Sequence, residues 1–329
     1  MINLFFKFLI CTISIGSIYY IYTAVDWGRL LEILAHANLF MISLMMLSWI
    51  FLLILRPFRL SILFSSINHN NDINYLKILT ANLIATALNN VLPAKVGDLY
   101  IPLILRKKSF QARKSIPVLV IEKIIDLMLI LFLFLFSIFF SPVLPVWAKS
   151  LSELGIVILI FSSLFFVLIV RKKSLVFRLS KKFFYFLPSR WIEFFIKVLS
   201  DSLEALELLV KSKKIFLFVI ISFVMSFITA CFYYFGFLSL LGNSTLNAAI
   251  FTMSAVALSF LFPLTPGGIG IFHTVVVSSL FLFGVSFDKA LAVAVLLHGL
   301  PFITITIVAS FLILNIKFKF VSKVRVFFF

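Results

Sequence analysis

The residues with chemistry to offer stand inside apolar surroundings. Glu122, Lys123 and Asp126 fall just inside an apolar run that starts at Ser115. Spacings of three and four put Asp126 on the helix face of both others. Ionisable groups at membrane depth are costly and usually meet a cavity or a partner. The same trio would also serve as an interfacial salt bridge at a helix mouth. Lys95 and Asp98 follow Pro93, three residues apart. They read as a lysine presented to a phosphate beside its carboxylate neighbour, or as a loop ion pair; the broken helix favours the first. Asn82, Asn89 and Asn90 place amides in the apolar run before that proline. Pro266-Gly267-Gly268-Ile269-Gly270 suits a tight turn that opens a half-helix. Its free N–H groups and positive dipole end would then face an anion, although glycines also serve close helix packing. His273 and His298 are the histidines at depth. They could pair or pass protons, or act as buried hydrogen-bond partners. No nucleophile elbow, P-loop, dinucleotide fingerprint or metal-ligand spacing is present, so no catalytic residue, metal or cofactor is expected.

Two segments must position these groups. Residues 80–106 begin as a membrane helix, then Pro93 removes a backbone donor and breaks it. Residues 248–262 and 271–283 flank a second break, Pro263 to Gly270. Hydrocarbon cannot satisfy exposed backbone groups, so such breaks are buried in protein or line a wet cavity. A pair of interrupted apolar segments, one in each half, is the sequence pointer to a transporter's binding site.

The rest of the chain fits a membrane. It is 63% hydrophobic and 12% charged, with mean hydropathy +1.21, whereas soluble domains are about a quarter charged. The fold expected is an all-α polytopic membrane protein. About six unbroken spans accompany two broken hairpins, re-entrant or crossing, in an inverted-repeat arrangement. The spans are residues 4–22, 39–55, 115–140, 151–170, 215–241 and 291–314, within a single integral membrane domain of residues 1–329. Residues 4–22 read as a signal anchor. Residues 56–59, Arg-Pro-Phe-Arg, read as a basic stop after the second span. Residues 171–214 are basic and carry an amphipathic helix expected to lie on the membrane surface, with Trp191, Phe194, Phe195, Val198, Leu199, Leu203 and Leu206 on its apolar face. Residues 317–329 form a basic tail.

The net charge of +17 does not indicate nucleic acid, because the basic residues fall in short loops between apolar spans. With the N-terminus inside, 25 of the 29 Lys and Arg lie on the cytoplasmic side; Arg29, Lys149 and Lys289 lie outside, and Lys123 lies within the membrane. That asymmetry orients the chain with both termini cytoplasmic. It also requires each broken segment to return to the side it entered from, the first opening to the cytoplasm and the second to the outside.

Leu92-Pro93-Ala94-Lys95-Val96-Gly97-Asp98, the basic run after it, Glu122-Lys123-Ile124-Ile125-Asp126 and Pro266 to Gly270 together resemble the flippase-like family built on the transmembrane region of lysylphosphatidylglycerol synthase. The resemblance runs from Arg56 to about Ala309. It implies an inner-membrane protein that moves phospholipids or lipid-linked sugars between leaflets. Membrane lipids, with an anionic or sugar-linked head group, would be its partners, alongside a second copy or a membrane enzyme. Asn89, Asn90, Lys95, Asp98, Glu122, Lys123, Asp126, Gly267, Gly268, Gly270, His273 and His298 would line the substrate site. The family usually has arginine where Lys123 stands, glutamate where His273 stands and often arginine near His298, so an acid–base pair would here be a histidine pair. The synthase's soluble aminoacyl-transferase domain has no counterpart in residues 1–329. A non-transporting scaffold for a lipid- or glycan-modifying enzyme, or a small-molecule secondary transporter, are the alternatives.

Overall fold

The computed structural model describes residues 26–67, 74–105, 112–141, 143–171, 189–261 and 265–315. The expected first span, residues 4–22, and the basic tail lie outside them, as do the side chains of Lys95, Trp191, Phe194 and Phe195. Among the described residues every regular element is helical. The order is α1 (Trp27–Ala35), α2 (Leu39–Ile67), α3 (Tyr75–Val91), a 3-10 turn (Pro93–Leu99), α4 (Tyr100–Leu105), α5 (Ala112–Phe139), α6 (Val146–Arg171), α7 (Ser189–Lys211), α8 (Lys214–Leu241), α9 (Leu246–Ser259), a second 3-10 turn (Pro266–Gly268), α10 (Ile271–Leu282) and α11 (Phe287–Asn315). Leu39–Ser66, Lys214–Leu241 and Phe287–Leu312 are long and apolar enough to cross a membrane. Their outward faces carry Leu47, Ile50, Phe51, Ile54, Phe216, Phe227, Ile307 and Phe311, all exposed. In water such patches would be adhesive; in a bilayer they face their proper solvent.

Local chemistry sets the helix starts. The Asn74 side chain accepts from Leu76 N–H at 2.9 Å to begin α3. The Thr245 hydroxyl does the same for Ala248 N–H at 3.2 Å to begin α9. Asp26 caps α1, and Arg29 on that helix pairs with Asp288 of α11 at 3.1 Å. Arg29 and Lys289 therefore share one end of the molecule, as their common side in the charge count requires.

Both interrupted segments fold back on themselves. Residues Ile78, Ala81 and Ala85 of α3 share a buried cluster with Ile101 and Leu105 of α4. Phe251 near the start of α9 meets Phe283 just past α10, ring to ring at 5.8 Å. Two large apolar cores result, beside a small cluster of Leu30, Leu291 and Ala292. One gathers α8, α9, α10, α11 and Met45 of α2. The other gathers Leu60 to Phe64 of α2 with α3, α4, α5, α7 and the start of α8. A polar layer lies between them.

Two expectations are corrected. Arg56 and Arg59 do not end the second span: α2 continues through Pro57 to Ile67. A proline removes one N–H, and a long helix packed along α8 tolerates that. The arginines stay inside because carboxylates from other elements meet them there, so they leave the cytoplasmic count. Nor does α7 lie on the membrane by its apolar face alone. Ala205 and Leu209 are buried in the second core, Leu206 packs against it, and Leu203 is buried too. The amphipathic pattern records burial against α5 and its neighbours, a face that periodicity cannot tell from a lipid-facing one.

Candidate functional site

Arg56 and Arg59 stand three apart on α2, hence on one face, and organise the polar layer. Arg59 is 3% exposed. It donates to Glu122 at 2.8 Å, to both carboxylate oxygens of Asp126 and to the Ser222 hydroxyl of α8 at 3.0 Å. Its guanidinium also lies 5.1 Å from the centre of the Phe218 ring. Glu122, fully buried, has Arg56 as a second partner at 3.7 Å. Arg56 donates to Asp98 at 3.3 Å, Lys123 meets Asp98 at 2.8 Å, and the Asn89 amide donates to it at 3.0 Å. The linked groups are three cations (Arg56, Arg59, Lys123) and three carboxylates (Asp98, Glu122, Asp126), so their formal charge closes at zero. Asp126 does share a face with Glu122, toward Arg59, while Lys123 turns to Asp98. The trio thus belongs to a network of ion pairs across α2, α5 and the first 3-10 turn, with Glu122 ten residues, about 15 Å, into α5.

The two hairpin turns meet beside this network. Gly97 packs so tightly that a Cβ there would strike the Ala85 carbonyl and would lie 2.8 Å from the Asn89 nitrogen. Gly267, at φ +60°, lies against the Asn90 carbonyl, which a Cβ would approach to 2.5 Å. Gly268 and Gly270 also take positive φ, and Gly270 leads directly into α10. The turn expected from these glycines is present. What a side chain at Gly268 would meet first is the Phe260 ring rather than backbone. Asn90 reaches from the first hairpin to α11, donating to the Thr306 hydroxyl at 3.3 Å and toward the Phe302 carbonyl.

A cavity of about 440 Å³ opens between the turns and the network. Of the residues singled out in the sequence, Asn89, Asn90, Asp98, Lys123, Gly267, Gly268 and His298 line it. Asp126 lines a second cavity of about 250 Å³, which shares Arg56, Lys123 and Thr229 with the first. His273 is not among the lining residues; its ring centre lies 5.1 Å from that of His298, which is. Lys95 belongs by its backbone to the first 3-10 turn. Arg56 and Arg59 were missed as site residues. So were the cavity's aromatic walls, among them Trp49, Phe232 and Tyr233. The available signal was that three carboxylates at membrane depth demand cations, and the Arg56–Arg59 pair is followed at once by more apolar sequence.

The family model for the lysylphosphatidylglycerol synthase TM region matches residues 7–309. The chain belongs to this family. A UPF0104 membrane protein of Methanocaldococcus jannaschii is 27% identical over 225 residues, 67% of this chain and 90% of that relative. No solved structure matches. The family places an integral membrane region over nearly all of the chain, which agrees with the apolar outer faces of α2, α8 and α11.

Proposed function

We propose that this member of the lysylphosphatidylglycerol synthase TM family passes the polar head group of a phospholipid or lipid-linked sugar across the inner membrane. The cavity between the two hairpin turns is the transit site, and both chain ends lie in the cytoplasm. The observation that carries the reading is that cavity. Both Pro/Gly breaks, a buried ion network and the Asn89 and Asn90 amides converge on one internal space, while the outer faces are apolar. Its size lies in the range of small-molecule sites, roughly 300–1,000 Å³, enough for a head group while acyl chains stay in lipid. The hairpins, entering from opposite sides, would bring oriented backbone groups to mid-depth where no water supplies them.

The test is reconstitution in liposomes with fluorescent head-group and acyl-labelled lipids, scored by leaflet-selective chemical quenching. Movement well above that of empty liposomes is expected. Lys95→Ala should abolish it with folding intact, and Lys95→Arg should keep part of it. A folded protein that moves no lipid overturns the reading.

A further inference from the structure

The described ion pairs at the wall of the larger cavity and behind it link three cations to three carboxylates, and that set constrains what can enter. We infer that the cavity selects a zwitterionic head group, one carrying a phosphate and an ammonium together. The inference rests on the lipid reading for the ligand's being a lipid, but not for its test.

Charge balance is the first argument. The described ionisable groups of the network pair three cations with three carboxylates. A head group with net charge would leave one charge without a counterpart in a medium that solvates it poorly. A zwitterion adds one of each sign, and the sum stays at zero.

Placement is the second argument. Asp98 is held by Arg56 and Lys123 at once, and the side chains of these two cations are 22% and 45% exposed. Among the described side chains that line the cavity they are the cations. Arg59, at 3%, lies behind them. A phosphate would take the place of the Asp98 carboxylate between Arg56 and Lys123, with the Trp49 Nε1–H, buried and without a hydrogen-bond partner, belonging to another lining residue as a further donor. Asp98 then exchanges its two cations for the ligand's ammonium. Acceptors for the remaining ammonium protons are present: Asn89 Oδ1 and Thr265 Oγ1 are buried, unpartnered and belong to lining residues. The aromatic residues Phe232, Tyr233 and Phe272 complete a wall suited to a cation. Each ion pair broken on entry is replaced by one formed with the ligand. A sugar head group would use the amides and hydroxyls but would give the Asp98 exchange nothing to trade.

The experiment measures binding rather than transport, on purified full-length protein in detergent with dihexanoyl phosphatidylethanolamine, dihexanoyl phosphatidylglycerol and a short-chain glucosyl lipid. Phosphatidylethanolamine should bind at least tenfold more tightly than the other two. Asp98→Asn leaves one cation in excess and should invert the order, so that phosphatidylglycerol binds best. Should that variant not fold, Lys123→Met, at a half-exposed side chain, should lower phosphatidylethanolamine affinity at least tenfold with the thermal midpoint held. Equal or tighter binding of phosphatidylglycerol or the glucosyl lipid by the unaltered protein overturns the inference, as does an unchanged order in Asp98→Asn. Selective binding without movement in liposomes would sink the transport reading alone, and movement of phosphatidylglycerol in preference would sink this one alone.

Discussion

Arg59 is the residue whose loss the geometry makes most costly. Its guanidinium is the shared partner of Glu122 and Asp126, and it also holds Ser222. Arg59→Met leaves Glu122, with no exposure at all, dependent on Arg56 at 3.7 Å. Asp126, 28% exposed, recovers part of its loss from water. Removing one partner of a buried ion pair typically costs about 3–5 kcal/mol, because the other charge remains buried and uncompensated. The expected loss lies in that range. Lys123→Met provides the contrast. Its side chain is 45% exposed, so its ion pair contributes at most about 1 kcal/mol. Arg59→Lys should resemble Arg59→Met more than the native chain, since one ammonium cannot reproduce a fork that serves two carboxylates. The assay is reversible unfolding in mixed micelles, followed by tryptophan fluorescence. Adding Glu122→Gln and Asp126→Asn to Arg59→Met should recover most of the loss by removing the stranded charges. If Arg59→Met unfolds within about 1 kcal/mol of the native protein, the network is not buried as described and the charge argument fails.

Gly97→Ala and Gly267→Ala should each prevent a hairpin turn from closing, because the added carbon meets backbone that cannot yield. Gly242→Ala, with open space around it despite φ +73°, should cost only the strain of that φ, about 1 kcal/mol; equal thermal losses at all three sites would contradict the close contacts. After replacement of Cys11 and Cys231, a cysteine pair at Asn90 and Thr306, whose side chains meet at 3.3 Å, should be bridged by mercury in membranes. Absence of that bridge would separate the first hairpin from α11. Reporter fusions after Lys114 and Lys214 should read cytoplasmic and one at Ser150 external; a cytoplasmic reading at Ser150 would reject the proposed orientation.

What could be read in the sequence follows from which physical signals are local. The breaks at Pro93 and at Pro263 to Gly270 announce themselves by residue type, and the described backbone turns at Pro93–Leu99 and Pro266–Gly268. That the two turns touch is a long-range fact, visible only once Gly267 is seen against the Asn90 carbonyl. The same limit explains the misreading of Arg56 and Arg59. A pair of arginines after an apolar run looks like an interfacial stop, because the carboxylates that neutralise it arrive from elements 42 to 67 residues further on. The periodicity of α7 was legible, but period alone does not say whether an apolar face meets lipid or protein. Only the buried Leu203 and Leu209 decide that.

The network itself argues for use rather than for stability. Burying paired charges seldom improves on apolar side chains of similar volume, which are often neutral or stabilising by roughly 1–4 kcal/mol in their place. Within the membrane the comparison is harsher, since both charges must leave water entirely. A chain that needed only to hold α2, α5 and α8 together could do so with the leucines and phenylalanines it carries in abundance. The groups instead sit where the two apolar cores part and two cavities adjoin, and their ion pairs can be traded with an incoming ligand without altering the total charge. The Arg59→Met, Glu122→Gln, Asp126→Asn variant therefore separates the two roles. It should unfold near the native midpoint yet lose lipid movement in liposomes, because the wall behind Arg56 and Lys123 no longer holds them in place. Full transport by that stable variant would reduce the Arg59 side of the network to packing and leave the Asp98 side to act alone.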